Sequence, residues 1–198
     1  MKIVFDTREY IEKAWNIAEK ISIDSEITTQ FKGAMFYSIL NICDAMQMLI
    51  QKRNFVSANI LFRSLLEYVF RSYWLNRIAD KNEIVLAMEN DKWPKTKKIH
   101  ELIAGKNSII DIFASEKSKI QDILHSYIHG GSQNPLGQLG GSGHIEPNIP
   151  DSEASYLLHV IQLSIYVALS EMTHLSGSDK IEAEIVKIVE ELLARRSD

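Results

Sequence analysis

The sequence predicts an all-α fold: a single helical bundle of about six to eight helices with one long Gly-rich loop. Three observations predict it. Apolar residues recur at three- and four-residue spacing almost everywhere, and no stretch alternates strictly over more than a few residues. Capping residues stand where several of the periodic runs begin or end. Of the nine glycines and four prolines, six glycines and one proline crowd into Gly130–Gly143, and Pro147 and Pro150 follow. The remaining chain is therefore almost free of helix breakers.

The first helix is expected to open on Asp6, which forms a capping box with Glu9, and to bury Ile11, Ala14, Trp15, Ala18 and Ile21. Ser22–Glu26 is a polar break. A long helix follows to about Gln51, with Phe31, Met35, Ile39, Ile42, Met46 and Leu49 on its inner face. Lys52–Asn54 makes a turn, and a third helix runs from Phe55 to about Ala79. Asp80 and Glu83 form a second capping box, opening a short helix that Trp93-Pro94 breaks. Ile99, Leu102 and Ile103 mark another short helix, capped by Gly105, and Ile109–Phe113 another turn. Ser115 is expected to cap a helix over Glu116–His129 that Gly130 ends. Asp151 or Ser152 opens a long apolar helix to Leu175. After Gly177-Ser178 the last helix buries Ile181, Ile185, Ile188, Val189 and Leu192. The division is then an N-terminal helix over 1–22, bundle helices over 26–129, a Gly/Pro-rich loop over 130–150 and C-terminal helices over 151–198, all in one domain.

Composition narrows the function. Lys plus Arg is 22 and Asp plus Glu is 26, a net charge of −4 that argues against a general nucleic-acid coat. A single cysteine excludes a disulfide framework and a Cys-rich zinc site, and it suits the cytoplasm. The start, Met1–Asp6, is too soon charged for a signal peptide. The apolar run Tyr156–Leu175 carries His159, Gln162, Glu171 and His174, so it reads as a buried helix and no membrane span is expected.

The third helix carries the most chemistry. Between Phe55 and Asn76 its only charged residues are Arg63, Glu67 and Arg71. They share one row at four-residue steps on a helix otherwise apolar nearly all round. Charges are rarely buried unless paired, and this spacing lets Glu67 touch both arginines. The row is either a partly buried Arg–Glu–Arg bridge that fixes packing, or two guanidinium groups and a carboxylate lining a cleft for phosphate or carboxylate.

The helix before the loop sets His125 and His129 opposite the face of Ile120, Ile123, Leu124, Tyr127 and Ile128. Two histidines one turn apart are a weak metal signal, since Ser126 stands where a metalloprotease helix has Glu, and no metal is expected. Gly130 and Gly131 open the loop directly after His129, and their backbone N–H groups could cradle an anion. The loop is neither a Walker loop nor a dinucleotide fingerprint. Leu136, Leu139, Ile145 and Ile149 give it more apolar content than a solvated linker needs. Cys43 reads as a buried thiol. Lys92, Lys95, Lys97 and Lys98 around Trp93 form the one basic patch with an aromatic, read first as a solvated helix edge and second as a contact for RNA or an acidic partner.

Several of these residues together resemble a bacterial all-helical family of unknown function. They are Leu61-Phe62-Arg63-Ser64-Leu65-Leu66-Glu67-Tyr68, then Arg71 and Trp74-Leu75, Ser126-Tyr127-Ile128-His129-Gly130-Gly131, and Ile145-Glu146-Pro147-Asn148. Members share an Arg-Ser-x-x-Glu helix and a later Tyr-x-His-Gly-Gly, and the likeness runs from about Asn59 to Leu175. That family is in turn similar to the HEPN-like helical bundles of toxin and antiviral defence systems. The resemblance implies an all-α bundle, homodimers and, in some members, metal-independent RNA cleavage. The HEPN nuclease pattern itself, Arg followed after four to six residues by His, is absent; Lys119 before His125 and Lys95 before His100 come nearest.

Two functions stay open. One is a non-catalytic module for an anion, a nucleotide or a protein partner, a second copy included, in a defence or toxin–antitoxin setting. The other is a metal-independent ribonuclease with His129 as general acid or base, Arg63 and Arg71 on the phosphate, and Glu67 holding them. Neither needs a cofactor, RNA or a nucleotide is the expected ligand, and no DNA-specific motif is present.

Overall fold

The computed structural model describes residues 2–115, 125, 127, 132–136, 138–139, 144 and 150–194. In chain order the helices are α1 (Lys2–Ala18), α2 (Ile27–Gln51), α3 (Phe55–Arg77), α4 (Lys81–Asn90), α5 (Thr96–Ile103), a single turn α6 (Gln133–Leu136), α7 (Asp151–Ser176) and α8 (Asp179–Ala194). Residues 108–115 are helical as well, and no β-strand occurs among the described residues, only an isolated bridge at Leu139. The fold is an all-α bundle.

Two long apolar helices form its centre. α2 packs against α1, α3, α4 and α7, and α7 against α1, α2, α3 and α8. Phe36, Ile39, Leu40, Cys43 and Met46 of α2 and Leu158, Ile161, Ile165 and Ala168 of α7 are buried in this layer. Each large aliphatic or aromatic side chain enclosed there contributes about 1.5–3 kcal/mol. Among the described helices α2 alone is long and apolar enough to cross a membrane. α8 closes the bundle against α1, where Lys13 meets Glu191 at 2.7 Å, and against the turn after it, where Lys20 meets Glu184 at 2.8 Å.

Several predicted boundaries move. α1 starts at Lys2, not at Asp6, because Ile3 and Val4 already pack against the core. The Asp6–Glu9 box is therefore interior helix. Asn54 caps α3, its side chain accepting from Ser57 N–H at 3.3 Å. The Asp80–Glu83 capping box is formed in both directions, each bond 2.9 Å. α4 ends on a left-handed turn at Asp91 (φ 51°), two residues ahead of Trp93-Pro94. Asn107 accepts from Ile109 N–H at 2.9 Å at the start of the helical residues 108–115, where a turn was expected at Ile109–Phe113, and of the helix expected over Glu116–His129 all but His125 and Tyr127 lies outside the described residues. Pro150, in extended conformation, occupies the cap position of α7, ahead of the acids Asp151 and Glu153. Proline suits a helix start because the N–H it lacks would be unpaired there. The stretch predicted as loop carries the α6 turn, with Leu136 and Leu139 about half exposed.

Candidate functional site

The charged row lies on α3, whose inner face buries Ala58, Phe62, Leu65, Leu66, Val69, Phe70, Tyr73 and Trp74. Arg63, Glu67 and Arg71 fall beside that face, each partly exposed. The row is thus not a buried one. Glu67 and Arg71 meet at 3.5 Å, with side chains 31% and 35% exposed, so water screens the pair. No bond joins Glu67 to Arg63, and among the described residues no hydrogen bond, ion pair or ring contact engages the Arg63 guanidinium. Half of the expected Arg–Glu–Arg bridge is formed. The reason lies next to it: the Arg71 guanidinium stacks over the Trp93 ring, 4.9 Å from its centroid, and Glu67 goes with Arg71.

Trp93 is itself held in place. Its Nε1 donates to Asp91 Oδ1 at 2.7 Å, and its ring lies 6.4 Å from those of Phe31 and Trp74. The left-handed turn at Asp91 delivers it there. Lys92, Lys95, Lys97 and Lys98 stand exposed around it. α5 is anchored on α3 by His100 against Phe70, rings 4.4 Å apart. A cationic edge thus runs from the α3 row to the start of α5.

The other end of the row is polar and enclosed. Asn59, one turn before Arg63, is 4% exposed. It donates to Phe55 C=O at 3.1 Å and to Glu153 Oε1 on α7 at 3.4 Å. Tyr156 meets Phe62 edge-on at 6.1 Å, so the first turns of α3 and α7 are joined by a polar and an aromatic contact. Tyr127 is buried and helical. Burial raises its phenol pKa, and the Glu153 carboxylate raises it further. His125 is exposed, as expected of the face opposite Tyr127. His129, Gly130 and Gly131 lie outside the described residues. Among the described residues no group of three His, Cys, Asp or Glu side chains is placed to hold a metal.

Sequence reasoning missed Asn59, Glu153 and the role of Trp93. Asn59 extends the row by one step, and an asparagine inside an apolar helix was the available signal. Glu153 reads as an ordinary helix-start acid. Trp93 reads as a breaker's neighbour, and only the fold shows it as a platform.

A model of a family of unknown function, DUF6988, matches residues 39–194, which span the charged row, Tyr127 and α7. No curated protein matches the chain, and no solved structure does. The match covers most of the sequence, and the chain therefore belongs to the DUF6988 family.

Proposed function

We propose that this protein is a non-catalytic binding module that takes an anionic group, a phosphate or nucleotide, on the charged row of α3. The observation that carries the reading is Arg63. Its guanidinium has no partner among the described residues, yet it stands one turn from the Asn59–Glu153 contact and one turn from the Glu67–Arg71 pair. A planar fork left unpaired between two anchored turns suits a bidentate oxyanion. Arg71 on Trp93 and the α5 lysines add positive potential at the same edge. ADP and inorganic phosphate are the probes. Titration calorimetry on the full chain should show ADP binding that Arg63→Ala weakens at least tenfold, about 1.4 kcal/mol. The melting temperature should change little, because Arg63 holds no hydrogen bond, ion pair or ring contact among the described residues. Equal ADP affinity in wild type and Arg63→Ala, or no binding at all, contradicts the proposal.

One observation favours the ribonuclease reading. The Glu153 carboxylate, which bonds Asn59 of the same row, acts electrostatically on Tyr127, two residues before His129. On this reading His129 moves the proton and Arg63 and Arg71 take the phosphate charge. Loss of cleavage of a fluorescent RNA in His129→Ala, with ADP binding retained, would establish it. We place the protein in the cytoplasm, with HEPN-like kinship and a defence or toxin–antitoxin setting. Growth arrest on induction, absent in Arg63→Ala, is the expected phenotype. The protein partner in this reading is a second copy. The outward face of α2 supports that: Ile27, Ala34, Asn41 and Met48 lie exposed at seven-residue steps, with Tyr37 between them. Those five residues carry no charge, so two such faces meet without repulsion.

A further inference from the structure

A cavity of about 290 Å³ lies in the crotch of the α7–α8 hairpin, closed on one side by the end of α3. It shares no residue with the charged row. Its walls carry both signs of charge: Arg77 from α3, with Asp179 and Glu182 from the first turn of α8, and the His174 ring of α7 stands beside the guanidinium. Ile185 and Val186 supply apolar wall.

The cationic part is preset. Glu171, 4% exposed, accepts from Arg77 Nε at 2.8 Å and from Nη2 at 3.1 Å. Asn76 donates to the same carboxylate at 2.6 Å. Arg77 Nη1 lies 3.0 Å from His174 Nε2. The guanidinium is thereby fixed in orientation, and one N–H on each Nη is left over, the end-on fork that a carboxylate fits. Thr173 adds an independent sign. It lines the cavity and is 5% exposed, and its hydroxyl has no hydrogen-bond partner. A buried hydroxyl without a partner is unfavourable, and a polar ligand group beside it removes the penalty.

The charges identify the class of ligand. Glu171 offsets Arg77, which leaves the carboxylates of Asp179 and Glu182 without a counter-charge among the residues of the wall. A lone anion would face those two carboxylates, and a lone cation would face the guanidinium. A small molecule carrying both charges a few bonds apart satisfies each end. The volume is at the small end of ligand pockets. We propose that this cavity binds a free α-amino acid with a short aliphatic side chain. Its carboxylate sits on Arg77 and Thr173, its ammonium on Asp179 and Glu182, and its side chain against Ile185 and Val186.

The test uses the full chain and three probes of nearly the same shape: L-leucine, isopentylamine and 4-methylpentanoate. Calorimetry should show saturable leucine binding, with the amine and the acid each at least tenfold weaker. Asp179→Asn with Glu182→Gln should weaken leucine at least tenfold, and the isosteric Thr173→Val about fivefold, the loss of one hydrogen bond. These are exposed or shape-conserving changes, and Asp179→Asn alone serves if the double variant fails to fold. Arg63→Ala should leave leucine binding unchanged, which separates this site from the anion site on α3. Absence of saturable leucine binding, equal affinity for the single-charge analogues, or unchanged binding in the variants overturns the proposal.

Discussion

Glu171 is the only charged residue that is buried among the described residues, and its neighbours determine what its removal costs. Arg77→Met leaves that carboxylate with Asn76 alone. The expected loss is about 2–3 kcal/mol, below the value for a fully buried pair because the Arg77 side chain is 35% exposed. Glu171→Gln strands only a cation that is about one-third exposed, and should cost less. Urea midpoints of the two variants check the order, and a reversed order contradicts this account of the pair. Cys43 offers a second test. It is fully buried beside Ile161 C=O, and burial pushes its thiol pKa well up. A disulfide reagent such as DTNB should leave it unmodified in the native protein and modify it fully in denaturant. Rapid native labelling would contradict the packing described for α2 and α7. At this scale the sequence was a fair guide to which residues are unusual and a poor guide to their surroundings. Arg63, Glu67 and Arg71 stand out by charge alone. The placement of Arg71 depends on Trp93, which arrives from another part of the chain.

Helices are local objects, and most were legible. Periodicity located α2, α7 and α8, the run of apolar residues between two polar turns located α3, and a capping box located α4. The misplaced boundaries share one cause. A capping motif says that a helix can start at a residue, whereas packing decides whether it does. Asp80 follows a true break and caps. Asp6 follows Ile3 and Val4, which the core already holds, and is overrun. This predicts a graded response. Asp80→Ala removes the side-chain acceptor of a formed box, leaving the bond from its own backbone N–H to Glu83, and should lower stability by about 1 kcal/mol, as should Asn54→Ala at the start of α3. Thermal midpoints in both variants test this, and unchanged midpoints would mean that water caps these ends equally well.

The molecule as a whole makes demands that no single helix states. If two copies join through α2, light scattering should give twice the chain mass, and Met48→Glu with Tyr37→Glu should return the mass to that of one chain with helicity intact. A monomeric wild type removes the second copy from the proposed function. The family match begins at residue 39, inside α2, so α1 lies outside it. Yet α1 buries Tyr10, Ile11, Ala14 and Ile17, and its Thr7 hydroxyl accepts from Gln162 of α7 at 2.7 Å. The partners of α1 other than α2 are thus made late. Gln162 leaves the ribosome 155 residues after Thr7, and Glu191, the partner of Lys13, 178 residues after it. At about 5–20 residues per second, the apolar face of α1 waits roughly 8–30 s for α7 during synthesis. For that interval its inner stripe is available to a chaperone or to a neighbouring nascent chain. α1 is therefore made well before α7 and α8, and its inner stripe is among the last surfaces to be buried.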